Sequence, residues 1–131
     1  MASWVLVIDD DPAFVALLTE RLEQAGCYVT SASDGLQGFI QAESLKPVLV
    51  ILDMVMPGFG SGADVIKQLR SHKNLSKVPV IVLSGLQPER VRPLLPPNDP
   101  NLRLMTKPPD WPLLMRLIRE LIPQKPPAGA A

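Results

Sequence analysis

Two short apolar runs each end in carboxylates. Trp4-Val5-Leu6-Val7-Ile8 leads into Asp9, Asp10 and Asp11, and Val48-Leu49-Val50-Ile51-Leu52 leads into Asp53. Carboxylates at the carboxyl ends of neighbouring parallel strands converge where α/β sheets bind ligands, and at close range they repel one another unless a hard cation bridges them. The pattern predicts a Mg²⁺ site with one carboxylate left to act as a nucleophile. Two further runs complete the set: Pro79-Val80-Ile81-Val82-Leu83 delivers the hydroxyl of Ser84, and Leu102-Arg103-Leu104-Met105-Thr106 delivers the ammonium of Lys107. The four runs together offer a nucleophile, a metal site, a hydrogen-bond donor and a positive charge.

The elements that must position these groups are legible along the chain. Strand-length apolar runs alternate with segments of helical period, which predicts a parallel sheet covered on both faces. Helix one starts at the N-cap Asp11 with Pro12 in its first turn, carries Phe14, Leu17, Leu18, Leu22 and Ala25 as its apolar stripe, and closes at Gly26. Residues 27–32 form a second strand, with Cys27 as a small strand residue. A second helix over 34–46 turns Leu36, Phe39 and Ile40 inward until Pro47 stops it. Strand three covers 48–53, helix three buries Val65, Ile66 and Leu69, and strand four covers 78–83. His72, near the end of helix three, is a surface or dipole-stabilising residue. The last helix starts near Asp110 and carries Leu114, Leu117, Ile118, Leu121 and Ile122, a stripe broad enough to leave room for a homodimer contact. Trp4 and Trp111 pack at the rim.

Eight of the twenty-five residues from Pro88 to Pro112 are proline. Each proline inside a helix costs about 3 kcal/mol, so any fourth helix is short, near residues 89–95, with strand five at 102–105. The proline-rich stretch 123–131 has almost nothing to bury and reads as a flexible tail or linker stub after a domain spanning 1–122.

With 131 residues, the chain fits one domain. Thirteen Lys and Arg balance thirteen Asp and Glu, so no global field draws in nucleic acid or an anionic membrane. The single cysteine excludes an internal disulfide. There is no apolar run of membrane-spanning length and no signal-type amino terminus, which predicts a cytoplasmic protein.

The order and spacing of Val7-Ile8-Asp9-Asp10-Asp11, Leu52-Asp53-Met54-Val55-Met56-Pro57-Gly58, Pro79-Val80-Ile81-Val82-Leu83-Ser84-Gly85 and Thr106-Lys107-Pro108 resemble the receiver domain of two-component response regulators over residues 3 to 122. The resemblance implies a flavodoxin-like, doubly wound, five-stranded parallel sheet of order 2-1-3-4-5 with five helices. Asp53 is then the phosphoacceptor for a sensor histidine kinase or histidine phosphotransfer protein. It also implies Mg²⁺ held by Asp10, Asp53 and the Val55 carbonyl, with Asp9 acting through a bound water. Lys107 and Ser84 would contact phosphoryl oxygens. The chain would not be an enzyme in its own right but a signalling domain that catalyses its own phosphorylation and acts by altered docking to a downstream protein.

Three departures individualise it. The loop from Pro57 to Gly62 is one residue longer than the family pattern, Leu104 replaces the aromatic switch residue three positions before the lysine, and Val55 and Leu86 stand where a water-orienting side chain would speed dephosphorylation. A binding module with intact chemistry but little switching is therefore an alternative. Two enzyme readings fit less well. Asp9-Asp10-Asp11 has the Asp-x-Asp spacing of haloacid-dehalogenase-type phosphatases, but Ala13 stands where their threonine belongs. A flavodoxin-like nucleotide binder would need a Gly-rich loop after strand one. Both a single-domain regulator and a receiver within a longer chain, such as a hybrid kinase, match the sequence.

Overall fold

A computed structural model describes residues 4–55 and 61–122. Five strands, β1 (Trp4–Ile8), β2 (Tyr28–Ala32), β3 (Leu49–Asp53), β4 (Val80–Ser84) and β5 (Leu102–Thr106), alternate with helices α1 (Pro12–Gln24), α2 (Gly35–Leu45), α3 (Gly62–Ser71), α4 (Pro88–Val91) and α5 (Trp111–Leu121). The strands pair in parallel in the order β2-β1-β3-β4-β5. This is the doubly wound topology expected from the resemblance. No helix among the described residues is long and apolar enough to cross a membrane. The expected longer loop after Pro57 and the tail 123–131 lie outside the described residues, the former across 56–60.

Alternate residues of each strand face opposite layers. Leu6, Ile8, Val50, Leu52, Val80 and Val82 pack beneath α2, α3 and α4. Val5, Val7, Leu49, Ile51, Ile81 and Leu83 pack beneath α1 and α5. The central strands are therefore continuously apolar, and each fully buried Leu, Ile or Val contributes about 1.5–3 kcal/mol. Helix starts follow local chemistry. Asp11, Asp34, Ser61 and Asp110 each accept a backbone N–H of the first turn, and Ser61 and Asp64 form a reciprocal capping box. Gly26, at φ 91°, ends α1, and Lys46, in the left-handed region at φ 50°, ends α2 just before Pro47.

Two helical stripes differ from expectation. In α1, Leu18 and Leu22 are buried and Phe14 is half-buried, while Leu17 faces solvent. In α2 the buried face is Gly35, Gly38 and Ala42, with Phe39 partly buried and Leu36 and Ile40 exposed. Proximity is the cause. A Cβ at Gly38 would lie 2.8 Å from Ile8 Cγ1, so α2 sits too close to β1 for a leucine to come between them.

The proline-rich segment forms α4 and a single 3₁₀ turn (Arg92–Leu94) in place of a long helix. Val91, fully buried, anchors its start. Its far end is held by Arg70 in the last turn of α3, which donates from Nε to Asp99 Oδ2 at 2.6 Å, from Nη1 to the Val78 carbonyl at 2.8 Å and from Nη2 to the Asn101 carbonyl at 3.3 Å. Burial works against the charge of Asp99, but the hydrogen bonds from Arg70 and the Asn101 amide, with the charges of Arg70 and Arg103, hold its carboxyl below the usual carboxylate range.

Because the folded-state value is depressed, the Asp99 contribution is present at neutral pH and disappears as pH falls below about 4. Asp99→Asn should therefore cost about 2 kcal/mol in denaturant unfolding at pH 7, and the two unfolding curves should converge in acid. A deficit that persists unchanged at low pH would contradict the assignment. Gly62 supplies a second test: its added Cβ would lie 2.7 Å from both the Asp53 carbonyl oxygen and Met54 Cα. Gly62→Ala should lower stability by about 1–3 kcal/mol despite the better helix former, because the obstacle is backbone.

Candidate functional site

The sheet topology brings β1, β3, β4 and β5 to one edge with their carboxyl ends aligned. Asp9 directly follows β1, and its amide still bonds the Ala32 carbonyl of β2 at 3.0 Å, so its position is fixed by the sheet. Its Oδ1 accepts the Asp11 amide at 2.9 Å. Asp53 is the last residue of β3 and accepts the Val55 amide at 3.4 Å. Asp9 and Asp53 are buried, Asp10 is exposed, and carboxylate oxygens of the three lie within 4.8 Å of one another. Asp11 stands apart as the α1 cap, accepting from Ala13 and Phe14.

Lys107, just past β5, places Nζ 2.8 Å from Asp9 Oδ2, and its amide donates to the Ser84 carbonyl at 2.9 Å. Ser84 ends β4, fully buried, with Oγ accepting the Leu86 amide at 3.1 Å, a contact that leaves its proton for another acceptor. The register Asp53↔Leu83 and Ser84↔Thr106 sets the hydroxyl one residue beyond the Asp53 level on the adjacent strand. The sequence-predicted residues Asp9, Asp10, Asp53, Ser84 and Lys107 thus share one edge. Val55 lies two residues past Asp53 and is 58% exposed.

The electrostatics of this cluster are unbalanced. Burial pushes the Asp53 carboxyl up, and the Asp9 and Asp10 charges add to the effect against the Val55 amide and the Lys107 charge. One ammonium faces three carboxylates. The donor set is entirely hard oxygen, which fits Mg²⁺ and offers nothing to soft metals. A cavity of about 520 Å³ opens beside Asp9 and Asp10, between α1 and the end of β2.

Two residues at the site were not legible as such in the sequence. The Phe14 ring centroid lies 4.5 Å from Lys107 Nζ, and Trp111 stacks on Phe14 with centroids 6.1 Å apart. Both carry only an apolar or rim signal in the sequence, and their meeting is a product of how α1 packs against α5. His72 is peripheral, 3.4 Å from Glu43 and edge-on to Phe39. Cys27 is half-buried just before β2, and its burial pushes the thiol up.

Known proteins resemble this chain in sequence and in fold. The chain is 39% identical over 82 residues to the DNA-binding dual master transcriptional regulator RpaA of Synechocystis, covering 63% of this chain and 34% of that protein. It is 39% identical over 85 residues to the alkaline phosphatase synthesis transcriptional regulatory protein PhoP of Bacillus subtilis, covering 65% and 34%. The chain thus spans about a third of the length of these relatives. Among solved structures, the receiver domain of the Francisella response regulator 1452 superposes with a TM-score of 0.78 at 28% identity, covering 91% of this chain and 95% of that one. The family model of the response regulator receiver domain matches residues 5–93, stopping inside the proline-rich segment, while the structural likeness continues through β5 and α5. With the matched family, the 2-1-3-4-5 sheet and the acid cluster on its carboxyl edge, this chain belongs to the receiver domains of two-component response regulators.

Proposed function

We propose that Asp53 accepts a phosphoryl group from a phosphohistidine on a sensor histidine kinase or histidine phosphotransfer protein. The observation that carries this reading is the convergence of the Asp9, Asp10 and Asp53 carboxylates within 4.8 Å, with Lys107 beside them. An Asp53 oxygen attacks phosphorus in line, the new O–P bond forms as the P–N bond breaks, and the imidazole nitrogen leaves with the electron pair. Asp10, Asp53 and the Val55 carbonyl would hold Mg²⁺ directly and Asp9 through water. The bound ion supplies charge neutralisation for the phosphoryl oxygens. Lys107 exchanges its Asp9 partner for a phosphoryl oxygen, and Ser84 donates its hydroxyl to another.

The product is a signalling state read by a downstream protein. Leu104 is half-buried against the layer that contains α4 and brings no aromatic ring to the coupling path. The balance of acidic and basic residues supports recognition by local surfaces, not by a general field for nucleic acid, and the phosphorelay chemistry supports a cytoplasmic setting. The domain is taken as residues 1–122.

A phosphohistidine donor or acetyl phosphate should label the chain once, on Asp53, and only with Mg²⁺ or Mn²⁺. Asp53→Asn should abolish labelling, and Lys107→Ala should sharply reduce it while circular dichroism shows the fold retained. Labelling of Asp53→Asn at the unmodified level would sink the assignment. The phosphorylated state should also be long-lived. Val55 is exposed and Leu86 packs half-buried on the core, and neither carries a group to orient the attacking water. Combining Val55→Asn with Leu86→Glu should speed decay by about ten- to a hundredfold, at 1.4 kcal/mol per tenfold. Decay of the label within seconds in the unmodified chain, or no acceleration in the double variant, would show that these positions do not set the lifetime.

A further inference from the structure

A lysine side chain is a point charge on a flexible four-carbon stem, so its value at a reaction site depends on what confines it. Among the described residues, two groups meet the Lys107 ammonium. One is Asp9 Oδ2 at 2.8 Å, and the other is the ring of Phe14, 4.5 Å from Nζ to the centroid. Phe14 is itself confined by Trp111, at 6.1 Å between centroids and 30° between planes, and Trp111 carries the Arg21 guanidinium 4.5 Å from its ring centre. The result is a row of cation, ring, ring and cation leading from the acid cluster to the outside of α1 and α5. Its parts are set by elements already fixed for other reasons. Phe14 and Arg21 lie two turns apart on one face of α1, and Trp111 opens α5 directly after its N-cap Asp110.

We propose that Phe14 is a positioning residue for Lys107, backed by Trp111, and that Trp111 senses where the lysine is. The inference rests on the reading of Asp53 as phosphoacceptor. Asp9 attracts the ammonium but also competes for it through a hydrogen bond. A ring face attracts a cation through its quadrupole and excludes water without occupying any of the three N–H donors. Phe14 therefore keeps the ammonium close to the acid cluster yet leaves its hydrogen bonds free to pass from Asp9 to an arriving phosphoryl oxygen. An aliphatic side chain of similar volume would fill the space and lack the attraction.

The test uses the full chain with Trp4→Phe, so that emission comes from Trp111 alone, since the sequence holds two tryptophans. Two quantities are followed: the Mg²⁺-dependent labelling rate with acetyl phosphate, and the change in tryptophan emission on adding Mg²⁺ and beryllofluoride. Phe14→Leu should slow labelling by about 3- to 30-fold and erase most of the emission change, whereas Phe14→Tyr should restore both. Simple rim packing would leave the labelling rate untouched. Unchanged rate and emission in Phe14→Leu, with Asp53→Asn inactive, would overturn this inference alone, as would a Phe14→Tyr variant as slow as Phe14→Leu. Labelling that survives Asp53→Asn would overturn the phosphoacceptor reading and this inference with it. Should Phe14→Leu fail to fold, Trp111→Leu takes its place, with slower labelling expected and an unchanged rate counting against the proposal.

Discussion

Three carboxylates crowd within 4.8 Å on one edge of the sheet, two of them buried, and like charges at that range repel strongly wherever water is scarce. Loops that were free to relax would let them move apart. Here Asp53 is the final residue of a strand buried along its whole length, and Asp9 is still tied by its amide to β2. The double layer of helices is what keeps both strands stiff. Lys107 cancels one charge, and the remaining surplus fits a divalent cation. Under the proposed function, an anionic phosphoryl group would enter a site whose repulsion an ammonium and a bound divalent cation would already have offset.

Much of this arrangement was legible in the sequence because it is local. Apolar runs ending in Asp9, Asp53, Ser84 and Lys107 announce strands and what those strands deliver, and Asp11 with Pro12, or Gly26, mark helix ends by backbone chemistry that involves only neighbours. The misread parts are non-local. Leu36 and Ile40 look like the inner face of α2 by period alone, yet the closeness of α2 to β1 selects Gly35, Gly38 and Ala42 instead. Glycine carries no hydrophobic signal, so periodicity cannot find such a face. Phe14 likewise counts as one more apolar residue until α5 brings Trp111 against it and β5 brings Lys107 over its ring.

The proline-rich segment shows how a fold can give up a helix and keep its topology. With Pro93, Pro96, Pro97 and Pro100 in place, helical hydrogen bonds cannot hold the stretch from α4 to β5. Burial of Val91 secures one end, and the guanidinium of Arg70 secures the other while satisfying carbonyls that lead into β4 and β5. The 3₁₀ turn and the left-handed Asn98 lie between these two anchors.

The two anchors are of different physical kinds, and this divides control of one stretch of chain between two solution variables. Apolar burial at Val91 weakens on cooling and is strengthened by sulfate-type salts, whereas the ion pair at Asp99 responds to ionic strength through screening of its partly exposed edge. Cold would loosen the end nearer Ser84, and salt the end nearer β5. Local opening of this segment is thus directional, with the choice of which end frays first set by the medium around the protein.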